Sequence, residues 1–393
     1  MMTDNAYART EDFEAMKEEL IATRRWLHQH PELSHEEAET ARYIADRLEG
    51  WGYEVTRNVG GHGVVARMTV GTGSRSVAIR ADIDALPIEE ARDLPWKSLT
   101  PGVMHACGHD GHTTVLLGAA DYLARTRRFN GTVTLIFQPA EESGQRSGAR
   151  AMIADGLFER FPFDAIFGLH NHPGEAEGVV LTREGGMMAA GDSAKITVRG
   201  KGGHASRPHL SIDPVMIACQ IVVAMQAIVS RSIDPTRAAV LTVGTIHAGT
   251  VANVIPDSAE FQLSIRSFDA DIRDRLQERI TRVARDVASA FEAEAEVDYE
   301  RGYPVVWNSS QETAFATEVA RELLGEDRVK LCPPIPGSED FAFYLEHKPG
   351  AFLRLGNGVN SAMLHNPNYD FSDEALTTGA ALWARLAERY LAQ

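Results

Sequence analysis

Val133-Thr134-Leu135-Ile136-Phe137-Gln138-Pro139-Ala140-Glu141-Glu142 reads as an apolar, β-branched strand that runs straight into a proline turn and an acidic pair. Such a run, with no polar alternation, is the pattern of a strand buried on both faces. The device recurs on either side. Residues 64–70 and 77–79 are short β-branched runs separated by Gly71, Gly73 and Ser74, and the second delivers Asp82 and Asp84. Residues 166–169 form another strand, ending in His170-Asn171-His172-Pro173. Helical patterns fill the intervals: residues 11–29 up to Pro31, then 38–48 behind a Ser34/Glu37 capping box, then 113–124. Helices alternating with apolar strands predict an α/β sheet with covered faces, and polar residues at strand ends are what an active site on such a sheet requires.

From about residue 188 the pattern changes. Strands at 194–199, 240–246, 259–266 and 295–299 interleave with helices at 214–230 and 270–291, in the order β-α-β-β-α-β. That order predicts a ferredoxin-like unit of four antiparallel strands with two helices on one face, inserted into the first domain. The helix and strand alternation then resumes at 312–324, 339–345, 351–355 and 373–391. The expected division is therefore a discontinuous catalytic domain, 1–187 and 303–393, and an inserted domain, 188–302, with hinges at Gly185-Gly186 and Gly302-Tyr303-Pro304.

Composition bounds the function. With 393 residues, 44% of them apolar, the chain can bury two cores, and its net charge of −16 argues against a nucleic-acid binder or an attraction to anionic lipid. Residues 1–18 show no apolar leader, and the apolar run 217–229 is interrupted by Gln220 and Gln226 and reads as too short to span a bilayer. Cys107, Cys219 and Cys332 are too few and too scattered for a disulfide framework, so a reducing, cytoplasmic location is expected.

Met104-His105-Ala106-Cys107-Gly108-His109-Asp110-Gly111-His112 carries the densest chemistry in the chain. Cys107 and His109 are two positions apart, so in an extended or tightly turned segment both side chains leave on the same side. Thiol, imidazole and carboxylate are the usual ligands of zinc and related ions, and Gly108 and Gly111 allow the backbone to bend around one. The competing reading is a redox thiol or a buried cysteine with surface histidines. Glu141-Glu142, His170 and His365 in Leu364-His365-Asn366-Pro367 are further candidate donors, provided the fold brings them back to Cys107.

Together with Arg25-Trp26-Leu27-His28, Pro31-Glu32-Leu33, Arg80-Ala81-Asp82-Ile83-Asp84-Ala85-Leu86-Pro87, Gly200-Lys201-Gly202-Gly203-His204-Ala205-Ser206 and Asn253-Val254-Ile255-Pro256, these motifs resemble the dinuclear metallo-aminoacylase and carboxypeptidase family. Within it the likeness is to the branch of hippurate hydrolases and plant auxin-conjugate amidohydrolases, from about residue 20 to the C-terminus. The resemblance implies a phosphorylase/hydrolase-like catalytic α/β domain with a mixed central sheet, and an inserted α+β lid through which the chain forms a homodimer or a higher homo-oligomer. It implies Cys107, His109, Glu142, His170 and His365 as ligands of two divalent ions, zinc, manganese, cobalt or nickel, and Glu141 as the catalytic carboxylate.

Glu141 would take a proton from metal-activated water and return it to the leaving amine. Asp84 is expected to orient a ligand imidazole, while Asp82 stands where the wider family has a histidine and is expected not to bind metal. His112 and His172 are read as supporting rather than ligating. His204 and Asn253 are candidates to stabilise the developing oxyanion and Arg266 to grip a substrate carboxylate, against a plain turn histidine and an Arg266–Asp269 surface pair. Residues 337–341 are expected to cap a helix. The implied reaction is hydrolysis of small N-acyl amino acids; the alternative is a dipeptidase or carboxypeptidase using the same site. A zinc deaminase is disfavoured by the missing Pro-Cys-x-x-Cys pair, and an inactive binding module by the filled ligand positions.

Overall fold

A computed structural model describes residues 7–392; residues 1–6 and 393, the extremities of the expected catalytic domain and the start of the polar N-terminal stretch, lie outside them. The chain divides into two compact units. The first runs up to Gly185 and takes in Trp307–Pro333 and everything from Asp340 on; the second comprises Gly186–Val306 and Pro334–Glu339.

The first unit is built on an eight-stranded mixed sheet whose spatial order is Glu54–Val59, Gly63–Val70, Gly131–Gln138, Ser76–Asp82, Ala165–His172, Gly350–Gly356, Val180–Thr182, Val329–Leu331. Gly131–Gln138, Ser76–Asp82, Ala165–His172 and Gly350–Gly356 run parallel to one another. Their carboxyl ends therefore open on one edge, and in register Asp82 lies beside Gln138 and Arg354 beside His170. Helices His109–Thr126 and Ala375–Leu391 cover the sheet with Leu116, Leu123, Leu382 and Trp383, all buried in one core with Val77, Leu135 and Phe167. The strand Glu54–Val59 was not expected: its Glu54, Arg57 and Asn58 break the apolar pattern, and its pairing with Gly63–Val70 makes it an edge strand.

Two local expectations fail. The 11–29 helix is two pieces, Glu11–Glu14 and Lys17–Gln29. The Ser34/Glu37 capping box does not form. The helix Ala38–Gly50 takes its cap from Glu32, whose carboxylate accepts from the N–H groups of Glu39 (3.1 Å) and Thr40 (2.7 Å). Ser34 instead donates to Asp84 Oδ2 at 2.7 Å, and Glu37 accepts from the Ala140 N–H at 2.8 Å.

The second unit is a four-stranded antiparallel sheet in the order Ala239–Ala248, Ser258–Ser267, Ala190–Arg199, Glu294–Arg301, the ferredoxin-like arrangement. Ala194, Ile196, Val198, Phe261, Leu263 and Ile265 point inward and pack on Ile217, Ile221, Met225 and Ile228 of one helix and Leu276 and Ile280 of the other. The first of these helices, Pro214–Ser232, starts behind an Asp213 cap and is 19 residues long. By length and composition it could cross a membrane, which corrects the reading of 217–229 as too short. Its inner face is occupied by the sheet, while Met216 (41% exposed) and Val223 (69%) leave an apolar outer face.

His28, on the inner face of Lys17–Gln29, bolts that helix to the start of His109–Thr126. Its Nδ1 lies 2.8 Å from Asp110 Oδ2 and its Nε2 3.4 Å from Glu90 Oε1. Burial opposes a charged ring, but Asp110 and Glu90 outweigh it and raise His28 to about 9 from 6.5. The folded state thus holds this proton more tightly than the unfolded chain. Its stabilisation is complete below about pH 6.5, is lost as the pH rises through 9, and amounts to roughly 3 kcal/mol. Urea unfolding should show the wild type losing more stability between these pH values than His28→Gln; equal losses would contradict the assignment.

Candidate metal centre

Gly108 makes the central turn possible. It sits at φ 87°, and a Cβ there would lie 2.4 Å from Asn171 Nδ2 and 2.5 Å from Tyr369 Oη, so only glycine lets the segment pass beneath these side chains. Asn171 Nδ2 donates to the Cys107 carbonyl (2.6 Å) and Tyr369 Oη donates to Asn171 Oδ1 (2.9 Å), which ties the turn to the end of Ala165–His172. Cys107 and His109 leave this turn toward the open sheet edge, where Cys107 Sγ is 3.3 Å from His170 Nε2.

His365 returns to the same place. Its N–H donates to the Ala106 carbonyl at 2.8 Å, its backbone turns at φ 61°, and its Nε2 is 3.2 Å from Glu142 Oε1. The donor atoms of Cys107, His109 and His170 lie within 4.8 Å of one another, as do those of Cys107, Glu142 and His365, and those of His109, Glu141 and Glu142. Six residues singled out in the sequence are thus brought together, and Cys107 belongs to two of the three groups.

The donor set fits a divalent cation. Buried His109 Nε2 finds no hydrogen-bond partner among the described residues, although buried polar atoms are nearly always paired. Burial opposes a charged His109, yet Asp82, Asp84 and Glu142 raise it to about 10. The field at Nε2 therefore draws a positive charge, a proton in the bare protein or a cation in its place. Burial, then Glu142, Glu141 and Asp82, push the Cys107 thiol well up, so a thiolate here needs a cation beside it. Burial and the Arg354 guanidinium keep His170 neutral, the form that ligates.

The orienting groups are explicit. Asp84 accepts from His109 Nδ1 (3.1 Å), from Ser34 Oγ (2.7 Å) and from the Glu142 N–H (3.0 Å). His170 Nδ1 donates to the Asn171 carbonyl at 2.9 Å, which leaves Nε2 facing Cys107. Asp82, His109 and His112 also have donor atoms within 4.8 Å of one another, but both His112 nitrogens are engaged. Nδ1 donates to Asp82 Oδ1 (2.6 Å) and Nε2 accepts from the Asn171 N–H (3.0 Å). Asp82 Oδ2 takes Arg80 Nη1 at 2.7 Å. His172 Nδ1 lies 3.4 Å from Arg354 Nε, and among the described residues no such group includes His172.

In the second unit, His204 pairs with Val254 on a two-residue ribbon and the Ala205 N–H donates to the Asn253 carbonyl at 3.1 Å, so His204 and Asn253 are neighbours. Arg266 lies on Ser258–Ser267 with Nη1 donating to the Ile265 carbonyl at 2.9 Å. Asp269 pairs with Arg237 at 3.0 Å, and the Arg266–Asp269 surface pair weighed against substrate binding is not seen among the described residues. Asp340, expected as a cap, uses its carboxylate on Arg80, Gln138, Ser147 Oγ and the Ala149 N–H. Arg80, Asn171 and Tyr369 were not singled out as functional. Arg80 and Asp82 at i and i+2 on a strand share a face, a signal that would have linked them.

Residues 78–389 match the model of peptidase family M20/M25/M40. The chain belongs to that family. Among M20 relatives it is 43% identical to a Campylobacter jejuni hippurate hydrolase over 94% of this chain and 95% of the relative. It is 39% identical to a Bacillus subtilis N-acetyl-L-cysteine deacetylase over 96% and 89%. The solved structure of a B. subtilis protein described as a dinuclear metal binding peptidase of the M20 family is 37% identical, covers 97% of this chain and 99% of that one, and superposes with a TM-score of 0.86.

If Asp84 orients His109 and Glu142 as the distances indicate, Asp84→Ala should weaken divalent-cation affinity about 10- to 100-fold. Competition with a chromogenic chelator measures this, and an unchanged affinity would exclude the role.

Proposed function

We propose that this M20 chain is a metal-dependent amidohydrolase that splits N-acyl amino acids, such as N-acetyl or N-benzoyl derivatives, into a carboxylic acid and a free amino acid. The observation that carries the reading is the convergence of Cys107, His109, Glu142, His170 and His365 beside Glu141, in a chain so similar to a hippurate hydrolase and a deacetylase. Two divalent ions would be held by those five residues, with Cys107 common to both groups of donors. Zinc suits thiolate, imidazole and carboxylate together, with manganese, cobalt and nickel as the other candidates. When bound, such ions supply Lewis acidity and lower the pKa of water.

Glu141 is buried beside ligand Glu142, and its role is to accept a proton from the attacking water and deliver it to the amide nitrogen as the C–N bond breaks. From the second unit, His204, Asn253 and Arg266 are proposed as substrate-recognising groups. Support for His204 comes from Ser206, whose N–H donates to Nδ1 at 3.1 Å, so the neutral ring carries its proton on Nε2 and presents it as a donor to a developing oxyanion. Arg266 is not paired with Asp269, and its guanidinium would meet the substrate carboxylate. A cytoplasmic location is supported by three unpaired cysteines, one of them a proposed ligand.

A homodimer is proposed through the second unit. Ala239–Ala248 is the outer strand of its sheet and exposes Val240 (43%) and Ile246 (49%), and the adjoining helix exposes Val223. An apolar open strand edge favours pairing with another strand, here that of a second copy.

With enzyme stripped and reloaded with each ion, N-acyl amino acids should be turned over far faster than free dipeptides in a chromatographic assay. The opposite order would establish the peptidase alternative. Glu141→Gln should lower turnover about 100- to 10,000-fold with metal content kept, whereas Cys107→Ala should lose metal. Light scattering should find a wild-type dimer and a Val240→Glu monomer; a monomeric wild type would end the dimer proposal.

A further inference from the structure

The residue before Glu141 is held in an unusual backbone state. Ala140 has φ 51° and ψ 44°, the left-handed region that a residue with a Cβ occupies only where its surroundings impose it. This single turn takes the chain from the strand Gly131–Gln138 into the segment Glu141–Arg146 and sets the directions of both acidic side chains. Pro139 cannot help by donating a hydrogen bond. The Ala140 carbonyl accepts from the Gly148 N–H at 3.0 Å, and its N–H donates to Glu37 Oε1 at 2.8 Å.

Glu37 is fully buried and comes from a distant part of the chain. Its position at the start of Ala38–Gly50 invites a helix-capping explanation, but its side chain caps nothing and Glu32 performs that task. The same Oε1 also accepts from the His35 N–H at 2.9 Å, and Oε2 has no partner among the described residues. His35 Nε2 reaches Ser143 Oγ at 2.7 Å, so the loop ahead of the helix grips both sides of the acidic pair.

The N–H groups flanking Glu141 are thus each held by a carboxylate from elsewhere: Ala140 by Glu37, and Glu142 by Asp84. Asp84 also accepts from His109, whereas among the described residues the hydrogen bonds of the Glu37 carboxylate are confined to the backbone. We propose that Glu37 is a positioning residue for the general base: its hydrogen bond to the Ala140 N–H locks the left-handed turn that aims the Glu141 carboxylate. This rests on the reading of Glu141 given above.

The test compares Glu37→Gln, which keeps an acceptor oxygen at the same reach, with Glu37→Asp, which keeps the carboxyl group but is one methylene shorter, and with Glu37→Ala. Kinetics on the preferred N-acyl amino acid are accompanied by metal analysis and by peptide-level hydrogen exchange across residues 138–144. Glu37→Asp and Glu37→Ala should lower kcat about 100-fold, with KM within about threefold, metal content unchanged and faster exchange in that peptide. Glu37→Gln should recover most of kcat and the slow exchange. If Glu37→Ala does not fold, the Asp and Gln pair decides.

A wild-type kcat in Glu37→Asp beside an inactive Glu141→Gln would overturn the clamp alone. Equal losses in Gln and Asp, or losses matched by missing metal, would overturn it too. An active Glu141→Gln would instead overturn the reading of the general base, and this inference with it.

Discussion

The Asp84 carboxylate is the point on which the arrangement turns. It accepts hydrogen bonds from a side chain at position 34, an imidazole at 109 and a backbone amide at 142, and so joins three segments that are remote in the chain. A buried carboxylate is tolerable only when its lone pairs are satisfied, and here the groups that satisfy it are those that must be aligned. The requirement to pair one buried charge and the requirement to orient a proposed metal ligand have the same solution. Parallel strands make the meeting possible, since their carboxyl ends share an edge and each supplies its polar residues within a few positions of the strand.

A second line of buried charge runs behind the first. Asp340 and Asp82 both take Arg80, and Asp82 passes its other oxygen to His112, whose far nitrogen accepts from Asn171. Removing one member of such a chain leaves an uncompensated buried charge, which costs about 3–5 kcal/mol, so the chain behaves as a single unit. It also explains why His112 differs from His109. The sequence places both imidazoles in one motif, but of the two His109 keeps a nitrogen with no hydrogen-bond partner among the described residues.

How much of this was legible beforehand follows from which interactions are local. The strand ends at Asp82, Gln138 and His170 could be read because burial on both faces leaves an unbroken apolar run. The β-α-β-β-α-β order of the second unit could be read from its alternation, and the candidate donor residues from their types and the family resemblance. Interactions set by distant partners could not. Ser34 and Glu37 have the spacing of a capping box, yet each finds a tertiary partner, Asp84 and Ala140, and Glu32 takes over the cap. Asp340 looks like a cap and is claimed by Arg80, and Asp269 is claimed by Arg237 rather than Arg266. Polar residues at turns have several short-range options, and packing chooses among them.

The competing view of Cys107 as a redox thiol can be judged on the same physical grounds. A reactive thiol needs a depressed pKa, from nearby cations or a helix terminus, and access to its oxidant. Cys107 is buried, burial and three carboxylates push it up, and Cys219 and Cys332 are not bonded to it. Every feature that makes it a poor nucleophile makes it a good anionic donor once a cation is present, because Glu142, Glu141 and Asp82 then become attractive contributions to the same ion. The thiol and the carboxylates disfavour one another in isolation and are reconciled by positive charge between them, which is the electrostatic signature of a metal site rather than of a redox centre.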